Sequence, residues 1–159
     1  MQPKTHITEA IALTFESLVY KENLLEEIVP KNVIGKFKKY KALDEAYIFT
    51  LLASRAQFEK EIYKNPEQDF EKLFSKIEKQ YYGTSNKRNW FAPLFIYSPG
   101  YIQNYIRAYV LSNQIYDATR KNLGTELHSN PKTANFMTKR IFYLGNLVNS
   151  KILNILLNL

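Results

Sequence analysis

Apolar residues recur at three- and four-residue steps through most of this chain, and that spacing predicts helices. Ile7, Ala10, Ile11, Phe15, Leu18 and Val19 line one face of a first amphipathic helix, with Glu9, Leu13, Glu16 and Tyr20 opposite and Thr5 or Thr8 available as a cap. Leu24, Leu25 and Ile28 predict a short second helix ended by Pro30. Val33, Ile34 and Phe37 sit in a basic third segment, KFKKYK, read as a solvated face with buried side-chain stems. From Ala42 to Lys64 the pattern is longest, its stripe formed by Leu43, Tyr47, Leu51, Phe58 and Ile62. The next helix should take Asn65 as cap, Pro66 as first position and Glu67 and Asp69 at its positive end. Phe70, Phe74, Ile77 and Tyr81 would be its buried face and Gly83 its end.

The stretch WFAPLFIYSPGYIQNYIRAYVLSNQIY, from Trp90 to Tyr116, carries one charge, Arg107. A helix apolar on every side is normally a buried one, so this stretch predicts a central helix over about residues 99–123, with Ser98 as cap, Pro99 first and Gly124 as its end. A polar loop from Thr125 to Thr133 holds His128. Phe136, Arg140 and Ile141 suggest a short helix closed by Gly145, and Leu147, Val148, Ile152, Ile155, Leu156 and Leu159 a final amphipathic one. No strand-period alternation bounded by turns is present. The expectation is an all-α fold of about seven helices in a single domain over residues 1–159.

Composition narrows the chemistry. At 159 residues the chain has room for a real core, and 45% hydrophobic with 23% charged residues is the balance of a folded protein. The absence of cysteine excludes disulfides, thiolate metal sites and cysteine nucleophiles. The first ten residues lack the apolar core of a signal peptide, and the most apolar stretches are interrupted by polar residues, Pro or Gly. A cytoplasmic location without membrane insertion is the expectation. The net charge of +7 lies mainly after Tyr81, where Asp117 and Glu126 are the only acids. The basic residues there are scattered singly and in pairs, so nucleic acid is not the expected partner; a missing partner carries the balancing acids, or the charges are merely solvated.

No Gly-rich phosphate loop, G-x-S-x-G elbow or H-E-x-x-H motif is present, and His6 and His128 have no partner at metal-ligand spacing. Four segments in order nevertheless suggest a family: TEAIALTFESL, RAQFEKEIYKNPEQDFEKLFSKIEKQYYG, WFAPLFIYSPGYIQNY and FMTKRIFYLGNLVNSKILNILL. Together they resemble the C-terminal helical region of gluzincin zinc oligopeptidases, the group of oligoendopeptidase F and thimet oligopeptidase and, more distantly, angiotensin-converting enzyme. The resemblance runs from about Thr8 to the end of the chain.

That resemblance implies site residues. Glu9, in TEAIA, matches the third zinc ligand of the family, and Tyr101 and Tyr105, in GYIQNY, match tyrosines that hold substrate or the oxyanion. Arg107, a lone charge on an otherwise apolar helix, should either reach the rim or have a carboxylate partner, which substrate or a missing domain could supply. Catalytic zinc needs three protein ligands, a carboxylate base for its water and donors for the developing oxyanion. This chain lacks both zinc histidines and the general-base Glu, so alone it should bind no cofactor and hydrolyse nothing. It also departs from the family at Pro93-Leu94-Phe95, where a cleft histidine is usual, and at Ala108, where better-known members carry tyrosine. The expectation is a truncated or split peptidase whose partner is a peptide substrate or an N-terminal half, with self-association through the surface that half would cover. The alternatives are a non-catalytic helical module binding protein or peptide, and a basic nucleic-acid-binding protein.

Overall fold

The structure is a computed structural model that describes residues 5–21, 24–84 and 100–142. The protein is all-α: six α-helices, one π-helical turn and no strand among the described residues. They are α1 (Thr5–Lys21), α2 (Leu24–Ile28), α3 (Lys31–Lys64), α4 (Phe70–Tyr82), α5 (Tyr101–Leu123), α6 (Pro131–Met137) and the π turn Thr138–Phe142. Two compact units share these elements. Unit 1 comprises Met1–Tyr40 and Arg107–Leu159, and unit 2 comprises Lys41–Ile106.

Three boundaries differ from the periodicity reading. The basic segment and the long helix after it are one unbroken helix of 34 residues. Gly35 weakens it by roughly 1 kcal/mol relative to alanine, but no proline interrupts it and Ile34 anchors that end by burial. The next helix starts later than Pro66, because Asn65 makes a turn instead of a cap: its side chain accepts the Glu67 N–H and its carbonyl the Gln68 N–H. Asp69 is the cap, with extended backbone and a side chain that accepts from the Lys72 N–H at 3.0 Å. Past Gly124, Asn130 and Pro131 open α6 within the stretch read as a loop. The stops at Gly83 and Gly124 fall where expected, each with positive φ (73° and 85°), a conformation glycine adopts without cost. The expected closure at Gly145, the final helix, the cap at Ser98 and the motif Pro93-Leu94-Phe95 lie outside the described residues.

In unit 1, Ile7 and Ala10 of α1 join Ala108, Leu111, Ile115 and Ala118 of α5, with Met137 and Ile141 completing the core. A second cluster groups Leu18, Tyr116 and Leu127. The buried stripe of α1 includes Thr14 and Ser17 and leaves Phe15, expected in the core, exposed beside the Phe142 ring at 6.1 Å. The predicted central helix is α5. It buries Ala108, Leu111, Ser112, Ile115, Tyr116, Ala118 and Thr119 and turns Arg107, Val110, Asn113, Asp117 and Arg120 outward. In unit 2, Phe58 packs edge-to-face on Phe74 at 5.3 Å, with Ile77 buried beside them and Ile62, Phe70, Leu73, Tyr81 and Ile102 around the cluster.

Candidate functional site

The buried side of α3 and α4 in unit 2 carries charge as well as rings. Arg55 and Glu78 are both buried and form an ion pair at 3.4 Å. The Arg55 guanidinium also stacks 4.5 Å from the Phe74 ring, a cation–π contact strengthened by the lack of water. Burial pulls the Arg55 pKa below its ordinary value, against the attraction of Glu78 and the Tyr82 and Tyr47 hydroxyls. Ser54, fully buried, donates to the Leu51 carbonyl at 2.8 Å and lies 3.5 Å from the Tyr82 hydroxyl.

Glu59 stands one turn beyond Arg55 and is 1% exposed. Its Oε1 accepts the N–H of Gly100, the residue that opens α5, while Oε2 has no hydrogen-bond partner. Burial raises its carboxyl pKa, opposed in part by the Gly100 hydrogen bond. A carboxylate at a helix start is favoured by the helix dipole, and Gly100, with φ of 77°, presents its N–H to it. Just inside α5, the Tyr101 and Tyr105 hydroxyls lie 2.9 Å apart and their rings 5.1 Å apart, edge-on, with both residues half-buried.

The structure thus brings the two sequence-predicted tyrosines together, hydrogen-bonded to each other one helical turn apart. Glu9 falls in unit 1 on α1, half-buried next to the fully buried Ala10. Arg107 is also in unit 1 and is exposed, so its lone charge among apolar neighbours carries no burial penalty. His128 is held by Glu27 of α2 at 3.2 Å. Among the described residues, no three His, Asp or Glu side chains converge as a metal site, and no helix is long and apolar enough to cross a membrane.

Sequence reasoning missed Arg55, Glu59 and Glu78. The signal was present for two of them. Arg55 falls between Leu51 and Phe58 on the apolar stripe of α3, and Glu78 falls between Phe74 and Tyr81 on that of α4, where a charge must be paired if the stripe is buried. Comparisons with protein-family models, curated proteins and solved structures give no match to this chain.

The remaining feature is what α3 leaves uncovered. In unit 2, Leu43 and Tyr47 are on the stripe that Phe58 and Ile62 continue, yet they are 60% and 55% exposed. The ring of Tyr82, last residue of α4, stands 6.3 Å from that of Tyr47, so α4 ends here and does not reach Leu43. In unit 1, Val33, Phe37 and Tyr40 are exposed as well, Tyr40 at 72%. At about 100° per residue these three fall within an arc of about 60°.

Proposed function

We propose that this chain is a non-catalytic helical module whose working surface is the exposed apolar side of α3 within unit 1, residues 31–40. One observation carries the reading: in unit 1 the first ten residues of α3 expose Val33, Phe37 and Tyr40 within a narrow arc. Scattered apolar residues on a surface are ordinary, but three large ones within one arc of three successive turns are the pattern of a contact surface. Hydroxyl-radical footprinting of the free chain tests this. Tyr40, 72% exposed, should be labelled at a rate close to free tyrosine and Tyr116, which is buried, far more slowly; protection of Tyr40 in the isolated chain defeats the reading.

A second reading is supported by Tyr101 and Tyr105. Their paired hydroxyls at the start of α5 fit the tyrosine helix of the gluzincin oligopeptidases that the sequence resembles. On that reading the chain is the C-terminal part of a zinc peptidase, with Glu9 as third ligand, Arg107 toward substrate and the histidines supplied by another polypeptide. Mixing the chain with an H-E-x-x-H half encoded by a neighbouring reading frame should then yield zinc-dependent peptide hydrolysis, lost in Tyr105→Phe. No hydrolysis by the mixture counts against it.

A further inference from the structure

The first ten residues of α3, Lys31 to Tyr40, combine two features that belong to different kinds of surface. Lys31, Lys36, Lys38 and Lys39 are all exposed, and no acid occurs between Lys31 and Leu43. Val33, Phe37 and Tyr40 are exposed on one side of the same turns, while Ile34 holds the helix to the protein. The nearest acids before it in sequence are Glu26 and Glu27 of α2, and Glu27 is engaged by His128.

We infer that this segment docks on an anionic lipid surface, with Phe37 and Tyr40 entering the headgroup region and the lysines meeting lipid phosphates and carboxylates. The inference rests on the reading of this part of α3 as the working surface and names what covers it. The choice among partners follows from residue type. Lysine is depleted in the contact regions of protein interfaces, where arginine is preferred for its fixed geometry. A mobile ammonium on a long stem suits a diffuse negative potential, and lysines beside Phe, Tyr and Val on one helix are the composition of an interfacial helix. Nucleic acid would also attract the lysines, but an aliphatic Val33 on the aromatic side offers no stacking face to a base.

The test is sedimentation of the full chain with phosphatidylcholine vesicles, with and without about one third phosphatidylserine, the level of a strongly anionic leaflet. Binding is expected only with phosphatidylserine. Lys38→Glu with Lys39→Glu should lower partitioning at least ~10-fold, since each lysine near such a surface contributes about 1 kcal/mol. Phe37→Ser with Tyr40→Ser should lower it while leaving its salt dependence unchanged. These side chains are exposed, so the variants should keep the wild-type circular dichroism spectrum, and footprinting of Tyr40 should fall on vesicle binding. No binding by wild type, binding indifferent to the lysine pair, or displacement of vesicles by oligothymidylate would each overturn the inference. If footprinting shows Tyr40 bare in the free chain and vesicles are not bound, only the lipid partner is wrong. A Tyr40 already protected in the free chain removes the working surface itself.

Discussion

The two units differ in the buried polar groups they carry: unit 2 buries charges and the α1–α5 contact of unit 1 buries hydroxyls. In unit 1 the buried polar groups between α1 and α5 are hydroxyls that satisfy themselves. Thr14 donates to the Ala10 carbonyl at 2.7 Å, Ser17 to Thr14 at 2.8 Å, Ser112 to Tyr109 at 2.9 Å and Thr119 to Ile115 at 2.7 Å. These short bonds stay within their own helices, Thr14 alone among the four also reaching the Ser112 carbonyl of α5 at 3.3 Å, and with Ala10, Ala108 and Ala118 almost wholly buried the contact is made of small side chains. In unit 2 the fully buried Ser54 also bonds within its own helix, but beside it are buried charges that depend on a second element: Arg55 of α3 on Glu78 of α4, and Glu59 of α3 on the start of α5. A self-satisfied hydroxyl survives the loss of its neighbour. A buried charge does not, because removing its partner leaves desolvation uncompensated. Unit 1 should therefore be sensitive to added volume and unit 2 to lost charge.

The largest effect should come from Glu78→Ala, which strands Arg55: a loss of about 3–5 kcal/mol in urea unfolding, largely recovered when Arg55→Met is added. A double variant no more stable than the single one would break the contrast. Next, Ala108→Leu should cost about 1–3 kcal/mol by overpacking unit 1, whereas a lost hydroxyl there should cost far less. Glu59 gives a pH signature. Its folded-state pKa is raised, so the folded chain keeps this proton where the unfolded chain, with an ordinary carboxyl near 4.5, has released it. Stability should then fall as pH rises from the ordinary carboxylate range through the raised value and level off above it. Glu59→Gln should remove that component, as read from urea midpoints between about pH 4 and about pH 8. The smallest effect belongs to Thr119→Ala, about 0.5–1 kcal/mol, because the Ile115 carbonyl keeps its place in the helix ladder.

The all-α fold was legible because helical periodicity is a local signal, and the glycine stops at Gly83 and Gly124 were legible because left-handed backbone is a local need. The errors came where two local signals competed. Asn65-Pro66 and Asp69 are both good helix openings, and which one caps depends on the turn closed by Gln68. The basic run after Gly35 looked like a separate element, because charge density hides the continuity that an anchored Ile34 and the absence of proline allow. Of the candidate site, the pairing of Tyr101 with Tyr105 was readable from their four-residue spacing. The Glu59–Gly100 bond was not, since it joins residues 41 positions apart and no pattern within either helix announces it. Phe15 shows the same limit: its spacing places it with the core of α1, but Thr14 and Ser17 can be buried at little cost once their hydroxyls bond within the helix, and the stripe rotates toward them.

The turn Thr138–Phe142 is wound more widely than the helix that leads into it, and Thr138 sends its N–H toward both Ala134 and Asn135. That slack fixes the phase in which Ile141 enters the unit 1 core while its neighbour Phe142 meets Phe15 outside. The turn holds one residue more than ordinary α-helical winding would need, since its hydrogen bonds span five residues instead of four. A one-residue deletion among Thr138, Lys139 and Arg140, which face solvent, should therefore leave Ile141 close to its present phase, whereas an insertion there should displace it.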